Sequence, residues 1–163
     1  MLIVSDTAPL NYLVLIEQQD LLPTLFGSVV IPQKVFEELQ RSATPLAVRQ
    51  WIAQQPIWLD IRTVQRPLNL ITDKLGDGER EAILLAEELK ADVLLIDDKD
   101  GRDEAMRRHI PITGTLGVLR AAALKGLIDL PEVIQRLRQT TFREPTQIVT
   151  AMLEEDAERK RKD

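Results

Sequence analysis

The chain has no cysteine and a single histidine, His109. The first absence excludes a disulfide framework and thiolate metal sites. The second excludes imidazole-based metal clusters and argues against a Ser-His-Asp triad. Any catalysis must therefore rest on carboxylates, hydroxyls, lysine or arginine. A basic excess is missing too. The formal net charge is −5 at pH 7, which argues against a surface coated for nucleic acid yet leaves room for a small basic rim around an acidic site. Apolar runs such as 82–86 are far too short to cross a bilayer. The opening segment has no basic stretch and reaches an aspartate at position 6, so no secretory signal is expected and a cytoplasmic location is.

What is present is ordinary in amount and informative in order. With 163 residues, 44% of them apolar and 29% charged, a single domain over 1–163 is expected. No repeat, low-complexity tract or interdomain linker interrupts it. Short apolar runs at 2–5, 29–31, 93–96 and 111–113 read as buried strands, and 58–63 as an edge strand. Amphipathic stretches between them read as helices: 8–17, Pro32 onward with Val35, Phe36 and Leu39, 45–55, the segment after the Gly76-Asp77-Gly78 turn, 100–108 and 116–125. Gly126 stops the last of these. Two further helices follow Pro131 and Pro145. Alternation of this kind predicts a three-layer α/β/α fold with a mainly parallel sheet of four to five strands.

Ligands in open parallel sheets bind outside the carboxyl ends of the strands. Two of the most apolar strands end there in acid, one in Asp6 and the other in Asp97-Asp98. Carboxylates set side by side repel one another unless a cation lies between them, and Mg²⁺ or Mn²⁺ needs only oxygen ligands. A lone strand-end aspartate is more often a helix cap, and Asp6 is placed to cap the helix that follows it. Periodicity alone reads Glu37 and Glu38 as solvated and Glu79 and Glu81 as partners of a helix dipole.

Five segments carry a resemblance: ValSerAspThrAlaProLeu at 4–10, ValIleProGlnLysValPheGluGluLeu at 30–39, LeuGlyAspGlyGluArgGluAlaIleLeuLeuAla at 75–86, LeuIleAspAspLysAspGlyArgAspGluAla at 95–105 and IleThrGlyThrLeuGlyValLeu at 112–119. In this order they resemble the PIN-domain family, and within it the small prokaryotic, DUF3368-like proteins similar to VapC-type toxin ribonucleases. The motif-bearing core runs over 2–126, with C-terminal helices over 131–163. The resemblance implies a Mg²⁺- or Mn²⁺-dependent endoribonuclease cutting single-stranded RNA, with Asp6, Glu38, Glu79 and Asp97 or Asp98 as catalytic and metal-holding residues. Glu37 and Glu81 are the lesser choices beside Glu38 and Glu79, Asp100 is an outlying one, and Thr7 and Thr113 supply nearby hydroxyls. The resemblance further implies a cognate antitoxin partner and a homodimer.

A catalytically silent PIN-fold binding module is the rival reading. A receiver-like phospho-switch fits less well, because the first strand carries one aspartate and the fourth no lysine. Arg102 could hold either a phosphate or a carboxylate. His109 reads as a helix-end dipole partner, Trp51 and Trp58 as core or interface residues, and the basic run at 159–162 as a frayed, solvated helix end. Leu116, Leu119, Ala122, Ala123, Leu127 and Leu130 offer more apolar surface than the sheet needs. They therefore predict an exposed patch through which two copies associate.

Overall fold

The computed structural model describes residues 1–163, the side chain of Asn69 apart. Strands β1 (Ile3–Ser5), β2 (Val29–Pro32), β3 (Leu59–Arg62), β4 (Val93–Leu95) and β5 (Ile112–Thr113) form one sheet in the order β3-β2-β1-β4-β5. Every pairing is parallel, with Val4 opposite Val30 and Leu94 opposite Ile112. The central strands are buried on both faces, which is why they read as continuous apolar runs. The edge strand Leu59–Arg62 alternates buried and accessible positions.

Strand alternation divides the core into two layers. Ile3, Val29, Ile31 and Leu95 face one side; there they pack on α1 (Thr7–Leu15), α2 (Leu21–Phe26), α3 (Gln33–Glu38), α4 (Leu46–Ala53), α7 (Thr115–Leu124), α8 (Leu130–Arg138) and α9 (Thr146–Lys162). Val4, Val30, Leu94 and Ile96 face the other, against α5 (Asp77–Leu89) and α6 (Lys99–Arg107). Each fully buried Leu or Ile contributes about 1.5–3 kcal/mol relative to exposure. The result is the three-layer α/β/α arrangement that the alternation of runs predicts.

Four details differ from expectation. The segment Gly76-Asp77-Gly78 is not a free turn: α5 begins at Asp77. Helix α2, with Pro23 inside it, has no counterpart in the sequence reading. The apolar positions on α7 and α8 do not form an exposed patch. Leu119, Ala122, Ala123 and Leu130 are all buried, with α7 packed against α1, α2, α8 and α9, while Leu127 stays exposed and Leu116 half-buried. The basic tail is not frayed. Helix α9 continues through Lys162, held in part by Asp156, 2% exposed, which pairs with Arg159 and with Lys160 at 2.8 Å. The predicted stop at Gly126 holds, with φ +70° there and Leu127 N–H donating to the Ala122 carbonyl at 2.9 Å. Among the described residues no helix is long and apolar enough to cross a membrane.

Candidate active site

The strand order places the carboxyl ends of β1 and β4 side by side, with Ser5 opposite Leu95. Asp6 therefore emerges beside Asp97 and Asp98. Asp6 stands at the cap position of α1 with extended backbone, yet its side chain makes no capping bond. It is 4% exposed and its Oδ1 has no hydrogen-bond partner among the described residues. Burial pushes its carboxyl well above the usual aspartate range, and repulsion from Glu79, Glu38 and Asp97 adds to the rise, while the Thr7 backbone opposes it.

Glu38 closes the short helix α3 and turns toward this point, whereas Glu37 is exposed and pairs with Lys34. The Thr7 hydroxyl donates to Glu38 Oε2 at 2.7 Å, and Gly78 N–H to its Oε1 at 3.1 Å. Glu79, in the first turn of α5, accepts a long bond from Gly76 N–H at 3.4 Å, and its buried Oε2 has no partner among the described residues. Burial raises its carboxyl, and the proximity of Asp98 and Glu38 raises it further, against the Gly76 amide. Glu81 faces elsewhere: its Oε1 accepts the Lys34 N–H at 3.1 Å and so caps α3.

The two aspartates after β4 differ in occupation. Asp97 is half-buried and doubly held, by Thr115 N–H at 2.8 Å and Thr115 Oγ1 at 2.7 Å. Burial raises its carboxyl while those two bonds and the Arg102 guanidinium pull the other way. Asp98 is exposed and accepts Asp100 N–H at 3.2 Å, capping α6. Asp100 is exposed in the first turn of that helix. Thr115 is fully buried, and its role was missed in the sequence. Its signal is the Gly-Thr step opening the apolar helix α7, where the hydroxyl meets the strand end. Thr113, the other hydroxyl expected near the site, lines the adjoining cavity.

That cavity, about 890 Å³, opens beside Asp97 and Asp98 and runs past Arg102 to Tyr12, Phe142 and Arg143. Tyr12 and Phe142 meet edge to face with centroids 5.2 Å apart. Arg102 donates to the Ile96 carbonyl at 3.3 Å and so lies between the strand end and the cavity. His109 is exposed just past the end of α6 with φ +61°, away from the acidic cluster. Trp51 and Trp58 pack on each other and on the core, centroids 5.9 Å apart.

The donor set is all oxygen, with neither thiolate nor imidazole, and two buried carboxylate oxygens lack any donor. Both properties fit a hard divalent cation. As they stand, no three of these groups among the described residues converge closely enough to hold an ion. Glu38 is pinned by Thr7 and Gly78, and Asp97 by Thr115.

A three-layer parallel α/β fold with acidic strand ends and helix starts on one edge is an architecture whose oxygen donors suit a hard cation. The model of the DUF3368 family, described as a PIN domain, matches residues 2–158, and the chain belongs to that family. Its structure is similar to that of a PilT N-terminus domain protein from the hyperthermophilic archaeon Sulfolobus solfataricus, with 21% identity, a TM-score of 0.56, and coverage of 75% of this chain and 93% of that one. At this identity the likeness shows the fold. No curated protein matches the chain.

Proposed function

We propose that the protein, acting as one PIN-like domain over 1–163, is a divalent-metal-dependent endoribonuclease that cuts single-stranded RNA and serves as the toxin of a type II toxin–antitoxin pair. The observation that carries the reading is the gathering of Asp6, Glu38, Glu79, Asp97 and Asp98 on one edge of the sheet, with Asp6 Oδ1 and Glu79 Oε2 buried and unpartnered. Family membership supports the nuclease chemistry.

In this reading Asp6, Glu38, Glu79 and Asp97 or Asp98 hold Mg²⁺ or Mn²⁺, which when bound acidifies a water and neutralises charge developing on the phosphate. The chain's own residues orient that set. Thr7 and Gly78 fix Glu38 from two sides, and Thr115 fixes Asp97 with both its donors. Asp98 caps α6 through Oδ2 and keeps its other oxygen free, whereas both oxygens of Asp97 accept from Thr115. Arg102 and Arg143 line the adjoining cavity and supply cations for the phosphates of a strand lying in it, with Tyr12 and Phe142 as apolar walls for bases. A cognate antitoxin and a homodimer complete the proposal.

The test is a fluorescent single-stranded RNA incubated with protein and Mn²⁺, with a chelator arm. Cleavage by the wild type, lost in chelator and in Asp6→Asn, supports the reading. Cleavage persisting in either arm rejects it. Metal binding without cleavage of any RNA moves the assignment to a silent binding module.

A further inference from the structure

The chain has seven glycines, and their surroundings separate them by purpose. Gly27 and Gly126 have φ of +85° and +70°, where side chains are strained, and open space around them. A Cβ on Gly76 would meet Glu79 Oε1 at an ordinary 3.6 Å, and one on Gly117 would overlap the Thr113 hydroxyl. The remaining three each stand against a different site carboxylate. A Cβ on Gly78 would lie 2.5 Å from Glu38 Oε2, and its other near neighbours are also Glu38 atoms. One on Gly101 would lie 2.7 Å from Glu79 Oε2, and one on Gly114 2.5 Å from Asp97 Oδ1.

None of these three needs glycine for its backbone. The positive-φ glycines are Gly27 and Gly126 alone, and Gly114 is extended, with φ −138°. Gly78 and Gly101 even sit inside the first turns of α5 and α6, where alanine would be the more stable residue. What the three share is close approach.

We infer that Gly78, Gly101 and Gly114 are positioning residues: each leaves the space in which one site carboxylate stands, so that Glu38, Glu79 and Asp97 approach the common edge from backbone that any side chain would block. The inference rests on the reading of those carboxylates as metal ligands. The obstructed atoms are mostly the tips of flexible side chains. An added methyl must therefore displace the carboxylate, and with it the Thr7 and Gly78 bonds of Glu38 or the Thr115 bonds of Asp97. Gly78 is the cleanest case; Gly101 also meets the tip of Ile96, and Gly114 the Arg102 guanidinium at 3.1 Å and the Ile96 carbonyl at 3.2 Å.

The experiment titrates Mn²⁺ by electron paramagnetic resonance into wild type, Gly78→Ala, Gly101→Ala, Gly114→Ala and, as control, Gly126→Ala, which costs stability through its positive φ but has nothing within reach of the added methyl. Unfolding in chelator is recorded alongside by circular dichroism. Mn²⁺ affinity should fall at least tenfold in the first three, each still unfolding cooperatively, while Gly126→Ala binds like wild type. Undiminished binding in the three variants overturns the inference. So does loss of cooperative unfolding in them, which would assign the glycines to the fold, or an equal loss of binding in Gly126→Ala. A wild type that binds no Mn²⁺ fails at the earlier step, the ligand reading itself.

Discussion

Asp6 is buried next to three other acids, and its titration should be visible in the stability of the metal-free protein. A carboxyl raised by folding holds its proton more tightly in the folded chain than in the unfolded one. Its contribution to stability is full below the ordinary value of 3.8 and is lost as pH rises through the raised value. In chelator, the advantage of Asp6→Asn over wild type should therefore widen as pH climbs from about 4 toward neutrality. A midpoint difference that stays constant between acid and neutral pH would count against it. In the nuclease assay, Asp6→Asn, Glu38→Gln and Glu79→Gln should each lower turnover about 100-fold or more, since small displacements of reacting groups cost that much. Glu37→Gln, exposed beside Lys34, should change nothing measurable. Glu81→Ala should leave turnover intact and cost about 1 kcal/mol in denaturant unfolding, as loss of a cap does. Periodicity could not separate Glu38 from Glu37, because adjacent helix positions differ only in direction. The motif order carried that choice, and the structure turns Glu38 to Thr7 and Glu37 to solvent.

Elements with strong period were legible; elements set by context were not. The buried runs of β1, β2 and β4 and the amphipathic α5 announce themselves. Helix α2 does not, because six residues around Pro23 carry no period and are fixed by packing of Leu21 and Leu22 on the core. Thr115 was only faintly marked: the Gly-Thr step shows a hydroxyl at a helix start but not which strand end it meets. Since it holds Asp97 while fully buried, Thr115→Val should cost about 1.5–3 kcal/mol, the range for a hydrogen bond to a charged group. Chemical denaturation reads this directly, and a loss below half of that would show the N–H bond alone suffices. The loop between α8 and α9 brings Phe142 and Arg143 to the cavity from outside the motif-bearing segments. Arg143→Ala should raise KM for RNA several-fold at constant kcat, the signature of lost uniform binding.

At the scale of the whole molecule, the expected association surface is the largest revision. Most of the apolar face of α7 is consumed internally by α1, α2, α8 and α9, leaving Leu124, Leu127 and Ile148 as exposed large apolar residues near it. A homodimer, if formed through this region, must use a smaller contact than the sequence suggested. Light scattering at micromolar concentration decides it, and a strict monomer rejects the dimer.

The sheet order has a further consequence, one of timing. Of the five strands the central one is synthesised first, yet its partner β4 comes only after residue 92, and the acids at 6, 38 and 79 precede it while Asp97 follows it. At about 5–20 residues per second, several seconds separate the emergence of Asp6 from that of Asp97. Parallel pairing between such distant segments cannot precede both of them. Throughout that interval the growing chain holds the acids apart, so whatever chemistry the assembled cluster performs is withheld until β4 has been made.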